Sequence, residues 1–189
     1  KPDVASWHGM MTSVVAAGNG HLSNGLYQGI APEAKVVLVK IGKTGRIPES
    51  HIENGLRWVL ANKDKYDIRI VNISAGGDFE QSYLQNSLSQ LVEKTVSAGV
   101  IVVSAVGNAG LAPGHPVLPP ASSPSAIAVG GLDDQNSVER ARRGMYRSSY
   151  GPTVDGLQKP EVIAPGIWVA APILPHTPTA DEAQLYAEL

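Results

Sequence analysis

Few side chains in this sequence are placed to do chemistry. Asn108 stands in Gly107-Asn108-Ala109-Gly110, directly after the run Val100-Ile101-Val102-Val103 and Ser104-Ala105-Val106. A second apolar run, Ile70 to Ile73, ends in Ser74-Ala75-Gly76-Gly77. If both runs are strands of one parallel sheet, their carboxyl ends share a rim, which is where open α/β sheets carry ligands. Both ends are poor in bulky side chains, so an extended peptide or a flat ligand can approach the backbone closely. His8 adds a titratable imidazole at the start of a helical stretch. Taken singly, each signal is modest. Asn favours turns in any protein, and a histidine at a helix end needs no function.

The elements that would position these groups follow from periodicity. Residues His8 to Ala17 lack breakers after Gly9, and Met11, Val14 and Val15 give an i, i+3, i+4 apolar face, so a helix is expected. A loop rich in Gly and Asn follows, and Lys35 to Lys40 reads as a short strand. Gly42 to Pro48 reads as a turn region. Ser50 and Glu53 have the spacing of a capping box, and Ile52, Leu56, Val59 and Leu60 continue at helical spacing. From about Gln81 a long helix is expected, with Leu84, Leu88, Leu91, Val92 and Val96 on one face and Gly99 as its stop. The β-branched run Val100 to Val103 suits a strand covered on both faces. Ala126 to Gly130 and Glu161 to Ala164 are further strands, the last turning at Pro165-Gly166. The stretch from Pro175 loses core character and reads as a loop leading into a helix. Strands alternating with helices indicate an α/β protein with a mostly parallel sheet and right-handed crossovers. No internal repeat and no dividing linker is visible.

Composition narrows the function classes. The chain has 189 residues, enough for a real core. Charged residues are 17% and the net charge is -2, with no basic stripe, so nucleic acid is not an expected partner. No apolar run approaches the roughly 20 residues that span a bilayer, so a membrane is not expected either. There are no cysteines, which removes disulfides and thiolate metal sites.

Several short motifs fail on inspection. Gly18-Asn19-Gly20 starts like a dinucleotide fingerprint, but position 23 is Ser23 and no clear strand precedes it. Gly42-Lys43-Thr44 resembles the end of a phosphate loop, but the glycine needed five residues earlier is Val37. Asn72-Ile73-Ser74 matches a glycosylation sequon inside what reads as a buried strand. His21, His51, His115 and His176 show no ligand spacing and read as loop or helix-surface histidines.

The order of the remaining pieces is more specific than any one of them. His8-Gly9 opens a helix, one strand ends in Asn-Ile-Ser-Ala-Gly-Gly, a later one in Ala-Val-Gly-Asn-Ala-Gly, and Pro-Ser-Ala-Ile-Ala-Val-Gly and Ala-Pro-Gly follow. In this order, from His8 to about Pro175, the sequence resembles the subtilisin-like serine proteases, the subtilase family. The resemblance implies a three-layer α/β fold with helices on both faces of the sheet. It implies His8 as general base and Asn108 as an oxyanion donor. It makes Ser74, Ala75 and Gly76 the strand that pairs with an extended substrate. Together with Ser104, Ala105, Val106 and Gly107 they would wall the pocket for the residue before the scissile bond. Leu118 would partly floor that pocket, and Pro119-Pro120 falls where the family often has a cis proline. A peptide or protein substrate and a secreted or cell-envelope location are further implications. Calcium is common in the family and the Gly18 to Gly29 loop could host an ion, but that loop has no carboxylates, so a structural calcium is not supported by this sequence and no cofactor is required.

Two members of the family's triad have no counterpart here. Only seven residues precede His8, and Asp3 is not in the family's Asp-Thr/Ser-Gly context. No Gly-Thr-Ser occurs, and Thr12-Ser13 lies inside the first predicted helix. Met10 and Met11 stand where the family has Thr-His. Without a nucleophile and an orienting carboxylate, covalent acyl transfer cannot run. The expectation is therefore that residues 1–189 form a single partial catalytic domain, inactive alone, completed by the remaining parts of the same domain in an active parent. Exposed sheet edge and apolar surface should accompany it. A pseudoprotease that binds peptide without cutting it, and a Rossmann-like small-molecule domain, are the alternatives.

Overall fold

The computed structural model describes residues 6–42 and 47–187. The chain divides into two compact units: Lys1–Arg46 with Val169–Leu189, and Ile47–Trp168.

In the first unit, helix α1 spans Ser6–Ala17. The loop after it folds back on the helix end. Gly29 N donates to Gly18 O (2.8 Å) and Ala31 N to Ala16 O (2.9 Å). This return leaves no room at Gly29, where a Cβ would lie 2.6 Å from Gly18 N. Lys35 to Lys40 forms no strand, contrary to its pattern. Val36, Val37, Leu38 and Val39 are all exposed; an apolar run becomes a strand only where another backbone supplies the ladder. A last helix, Pro178–Ala187, starts where Thr177 Oγ1 accepts from Ala180 N (3.2 Å). The predicted turn Gly42 to Pro48 lies largely in residues 43–46, outside the described residues.

The second unit holds the sheet. Helix α2 spans Glu49–Tyr66 and buries Ile52, Leu56 and Val59, a stripe of the expected helical spacing. Pro48 rather than Ser50 is its N-cap, and no side chain caps it. The capping box does not form. Glu53 instead accepts from Ser87 Oγ (2.5 Å) and pairs with Arg57. Strand β1 is Ile70–Ile73. Helix α3 runs Ser87–Ser97, not from Gln81. Its start is set by Asn86, whose Oδ1 accepts from Ser89 N (2.8 Å). The preceding turn is pinned elsewhere, with Asp155 accepting from Ser82 Oγ (2.6 Å) and Tyr83 N (2.8 Å), and Leu84 is left exposed. Gly99, at φ +87°, follows the α3 C-cap and turns the chain into β2, Ile101–Ala105.

Strand β3 is Ile127–Asp133, β4 Gly144–Met145, and β7 Val162–Pro165. Between the last two, β5 (Gly151–Pro152) and β6 (Gln158–Lys159) form a small hairpin. Strands β1, β2, β3 and β7 pair in parallel, with Ile73 beside Ser104, Ala105 beside Val129, and Val129 beside Val162. The sheet is thus mostly parallel, as the alternation of elements predicts. Leu132 bridges to Pro165 on β7 and to Met145 on β4, so these two strands flank β3 on opposite edges. The edge of β3 nearest the amino end belongs to β2, and the rest of that edge belongs to β4.

Helices α2 and α3 pack together, and α3 packs on β2. Leu56, Leu88, Val92, Val102 and Ala128 are buried there. The registers put Ile70, Ile101, Ile127 and Val162 together on the opposite face, and all four are exposed. Asn72 shares that outward face. Its side chain is therefore exposed and donates to Ser74 Oγ (3.1 Å), rather than lying buried in the strand.

Candidate functional site

The rim at the carboxyl ends of β1 and β2 carries a cleft of about 180 Å³. Ser74, Ala75 and Gly76 line one side, and Ala105, Val106, Gly107 and Asn108 line the other, with Leu118 also contributing. Ser104 does not reach it. Strand alternation turns Ser104 to the helix-covered face beside Val102, where it is fully buried.

Each wall is held by contacts distant in sequence. After β1, Gly77 N donates to Pro119 O (2.6 Å), tying the Ser74–Gly77 segment to the loop that contains the cis Pro119–Pro120 bond. In the other wall, Val106 belongs to one buried apolar cluster with Val117, Ala121 and Ala128.

The Asn108 turn is laced to residues 147–150. Val106 N still bonds to Val129 O (3.0 Å), and there β2 leaves β3. The vacated edge is taken by Tyr146, whose N donates to Gly131 O (3.1 Å), and by Ser148, whose Oγ accepts from Gly131 N (2.7 Å). Next, Ser149 N donates to Gly107 O (3.0 Å), and Ser149 Oγ accepts from Ala109 N (3.2 Å). Gly110 N donates to Arg147 O (3.1 Å). At Gly110 a Cβ would stand 2.1 Å from Ser148 O, so the residue must be glycine for the segments to meet.

His115 closes the far end of the turn. Its Nδ1 lies 2.9 Å from Gly110 O and its Nε2 2.8 Å from the Tyr150 hydroxyl. Facing a carbonyl, Nδ1 is the donor, and in the neutral ring this leaves Nε2 to accept from the Tyr150 hydroxyl. The two rings stack with centroids 4.0 Å apart.

His8 lies in the other unit, in the amino-terminal part of α1. It is exposed, its ring stands edge-on to Trp7 at 6.4 Å, and its carbonyl accepts from Thr12 Oγ1 (3.1 Å). Thr12 and Ser13 are helical, as expected; Ser13 Oγ donates to Gly9 O (2.6 Å). The Gly18–Gly29 loop carries no carboxylate, and among the described residues no three His, Asp or Glu side chains gather to hold a metal ion.

Sequence reasoning missed Ser148 and Ser149. They are two small hydroxyl residues ahead of Tyr-Gly-Pro, and nothing local marks them as partners of a turn forty positions earlier.

Comparison with known proteins agrees with this fold. The chain is 36% identical over 170 residues to serine protease AprX of Bacillus subtilis (strain 168), covering 85% of this chain and 38% of that protein. It is 33% identical over 141 residues to subtilisin NAT of Bacillus subtilis subsp. natto, covering 74% of this chain and 32% of the relative. Among solved structures, the S41 psychrophilic protease superposes with a TM-score of 0.68 at 27% identity, over 87% of this chain and 53% of that one. The chain thus spans about a third of the curated relatives and about half of the solved one. Residues 1–185 match the sequence model of the subtilase family, Peptidase_S8, and the chain belongs to that family.

Proposed function

We propose that these residues are part of a secreted serine endopeptidase, to which they contribute the histidine base, the oxyanion asparagine and the substrate-binding strand. One observation carries the reading: in a subtilase, Asn108 and the bare backbone of Ser74 to Gly76 face one cleft, with Leu118 in its lining. An extended peptide lies along Ser74–Gly76 as an added antiparallel strand. The side chain before the scissile bond enters the cleft between that segment and Ala105–Gly107. A cleft of this size, lined by Ala, Val and Leu, suits a small or medium apolar residue.

A serine hydroxyl attacks the peptide carbonyl as His8 takes its proton, and the carbonyl oxygen becomes an oxyanion that accepts from the Asn108 amide. His8 then returns the proton to the departing amine. The serine and the aspartate that orients His8 come from Gly-Thr-Ser and Asp-x-Gly motifs, which these 189 residues do not contain. Residues 1–189 alone are therefore inactive. The outward face of the sheet supports this partition, because a parallel sheet with Ile70, Ile101, Ile127 and Val162 exposed is short of cover.

The test is made on the full-length protein. It should hydrolyse an apolar-residue chromogenic peptide and take a fluorophosphonate label on a serine outside these residues. Asn108→Ala should lower kcat by about 10²–10³. Peptide binding with neither turnover nor label would instead make the protein a peptide-binding pseudoprotease.

A further inference from the structure

We propose that Ser149 is a positioning residue for Asn108, clamping the turn on both sides of it. The inference rests on the reading of Asn108 as oxyanion donor. Ser149 bonds to the residue before Asn108 through its backbone N–H, and to the residue after it through its hydroxyl. Asn108 itself is left to face the cleft, which Ser149 also lines.

The clamp is built rather than incidental. Ser149 is about as buried as a core residue. Its neighbour Ser148 is fastened to β3 through Gly131 N, so the clamp is anchored in the sheet. Gly107 sits at φ +108°, and a Cβ there would come within 2.8 Å of Ser149 Oγ. Only glycine lets the hydroxyl come this close while the backbone turns through the left-handed region.

The chemistry gives the clamp a purpose. An oxyanion donor acts by being fixed where charge develops, before the charge is there. Asn108 hangs from a turn of small residues, Gly107-Asn108-Ala109-Gly110, whose own side chains offer little to fix it. Two hydrogen bonds from one side chain and its backbone, on the two flanking peptides, remove that freedom. Ser149→Ala deletes only the bond to Ala109 and one buried oxygen, so the fold should persist.

The experiment is a double-mutant cycle in the full-length protein with a chromogenic peptide, using Ser149→Ala, Asn108→Ala and the pair. Ser149→Ala should lower kcat about 10- to 100-fold with KM within about twofold. In the Asn108→Ala background the same change should alter kcat by less than about twofold, because the group it positions is gone. Hydrogen–deuterium exchange over residues 105–111, which needs no turnover, should rise in Ser149→Ala. Unchanged exchange overturns the clamp. A kcat loss that persists in the Asn108→Ala background overturns action through Asn108, leaving Ser149 structural. If Asn108→Ala keeps full kcat, or the protein has no turnover at all, the oxyanion reading fails, and this inference falls with it for a separate and recognisable reason.

Discussion

Gly107 and Ser149 compete for one small volume: the Ser149 hydroxyl oxygen stands 2.8 Å from the point a Gly107 Cβ would occupy. The turn after β2 therefore depends on a missing methyl as much as on any side chain present. Gly107→Ala meets two penalties, the contact with Ser149 Oγ and the φ of +108° that an L side chain resists. We expect about 1–3 kcal/mol of lost stability from the backbone alone, read as a lower urea midpoint in the full-length protein. Pairing it with Ser149→Ala removes the contact but not the strain. The double variant should recover part of the loss and no more. Full recovery would show that the backbone conformation costs nothing; no recovery would show that the contact is relieved some other way.

Lys159 presents a second test. Its side chain is 1% exposed, donates to Ala126 O (2.9 Å) and pairs with Glu161 Oε1, while Glu161 Oε2 accepts from Ala128 N (2.8 Å). The pair staples the hairpin strand β6 and the start of β7 to the start of β3. Glu161→Gln strands a buried ammonium and should cost about 2–4 kcal/mol, toward the low end because Glu161 is itself 38% exposed. Lys159→Met should cost less, since the remaining carboxylate reaches water and keeps its bond to Ala128 N. The decisive comparison is the double variant Lys159→Met/Glu161→Gln, which should be more stable than Glu161→Gln alone in urea unfolding. A double variant no better than the single one would show that the buried charge is not what hurts.

The order of elements was legible because burial marks it locally. Ile70–Ile73 and Ile101–Ala105 are rich in β-branched residues and followed by small ones, and α2 keeps its i, i+4, i+7 stripe through Ile52, Leu56 and Val59. What failed was each feature decided by a distant partner. Lys35 to Lys40 has the composition of a strand, but composition cannot supply a ladder. Glu53 has the spacing to cap Ser50, but Ser87, on another helix, takes its carboxylate. The cleft was legible at Ser74–Gly76 and Ala105–Asn108, where a motif is contiguous. Ser104 was misassigned because a motif does not say which face a strand residue takes, and Ser149 was invisible because its partners lie at positions 107 and 109.

Asn86 illustrates such a hidden decision and can be tested directly. Its Oδ1 caps α3 through Ser89 N, and its Nδ2 donates to Gln81 Oε1 (3.2 Å) and Glu49 Oε2 (3.3 Å). Asn86→Ala should lose the cap, worth about 0.5–2 kcal/mol. Asn86→Asp keeps an acceptor for Ser89 N but turns a carboxylate toward Glu49. If the cap dominates, the Asp variant is the more stable of the two by thermal unfolding; if the contact with Glu49 dominates, the Ala variant is. We expect the cap to dominate, because a carboxylate also suits the helix amino terminus, whereas the bond to Glu49 is long. An Ala variant more stable than the Asp variant would reverse that ranking.

The outward face of the sheet leads to the last expectation. Ile70, Ile101, Ile127 and Val162 are 61%, 49%, 38% and 48% exposed, on four neighbouring parallel strands. Parallel sheets bury both faces, and a contiguous apolar face of this kind binds whatever apolar surface it meets. Residues 1–189 produced alone should therefore raise the fluorescence of an apolar dye such as ANS and elute at a size that grows with concentration. On the proposed partition, full-length protein, in which further residues would cover the face, should do neither. Ile101→Thr with Ile127→Thr should weaken both effects in the short form, because a hydroxyl there removes apolar area without breaking strand preference. A short form that stays monomeric and silent to the dye would mean that the face is covered from within these residues, and the proposed partition of the catalytic domain would have to be abandoned.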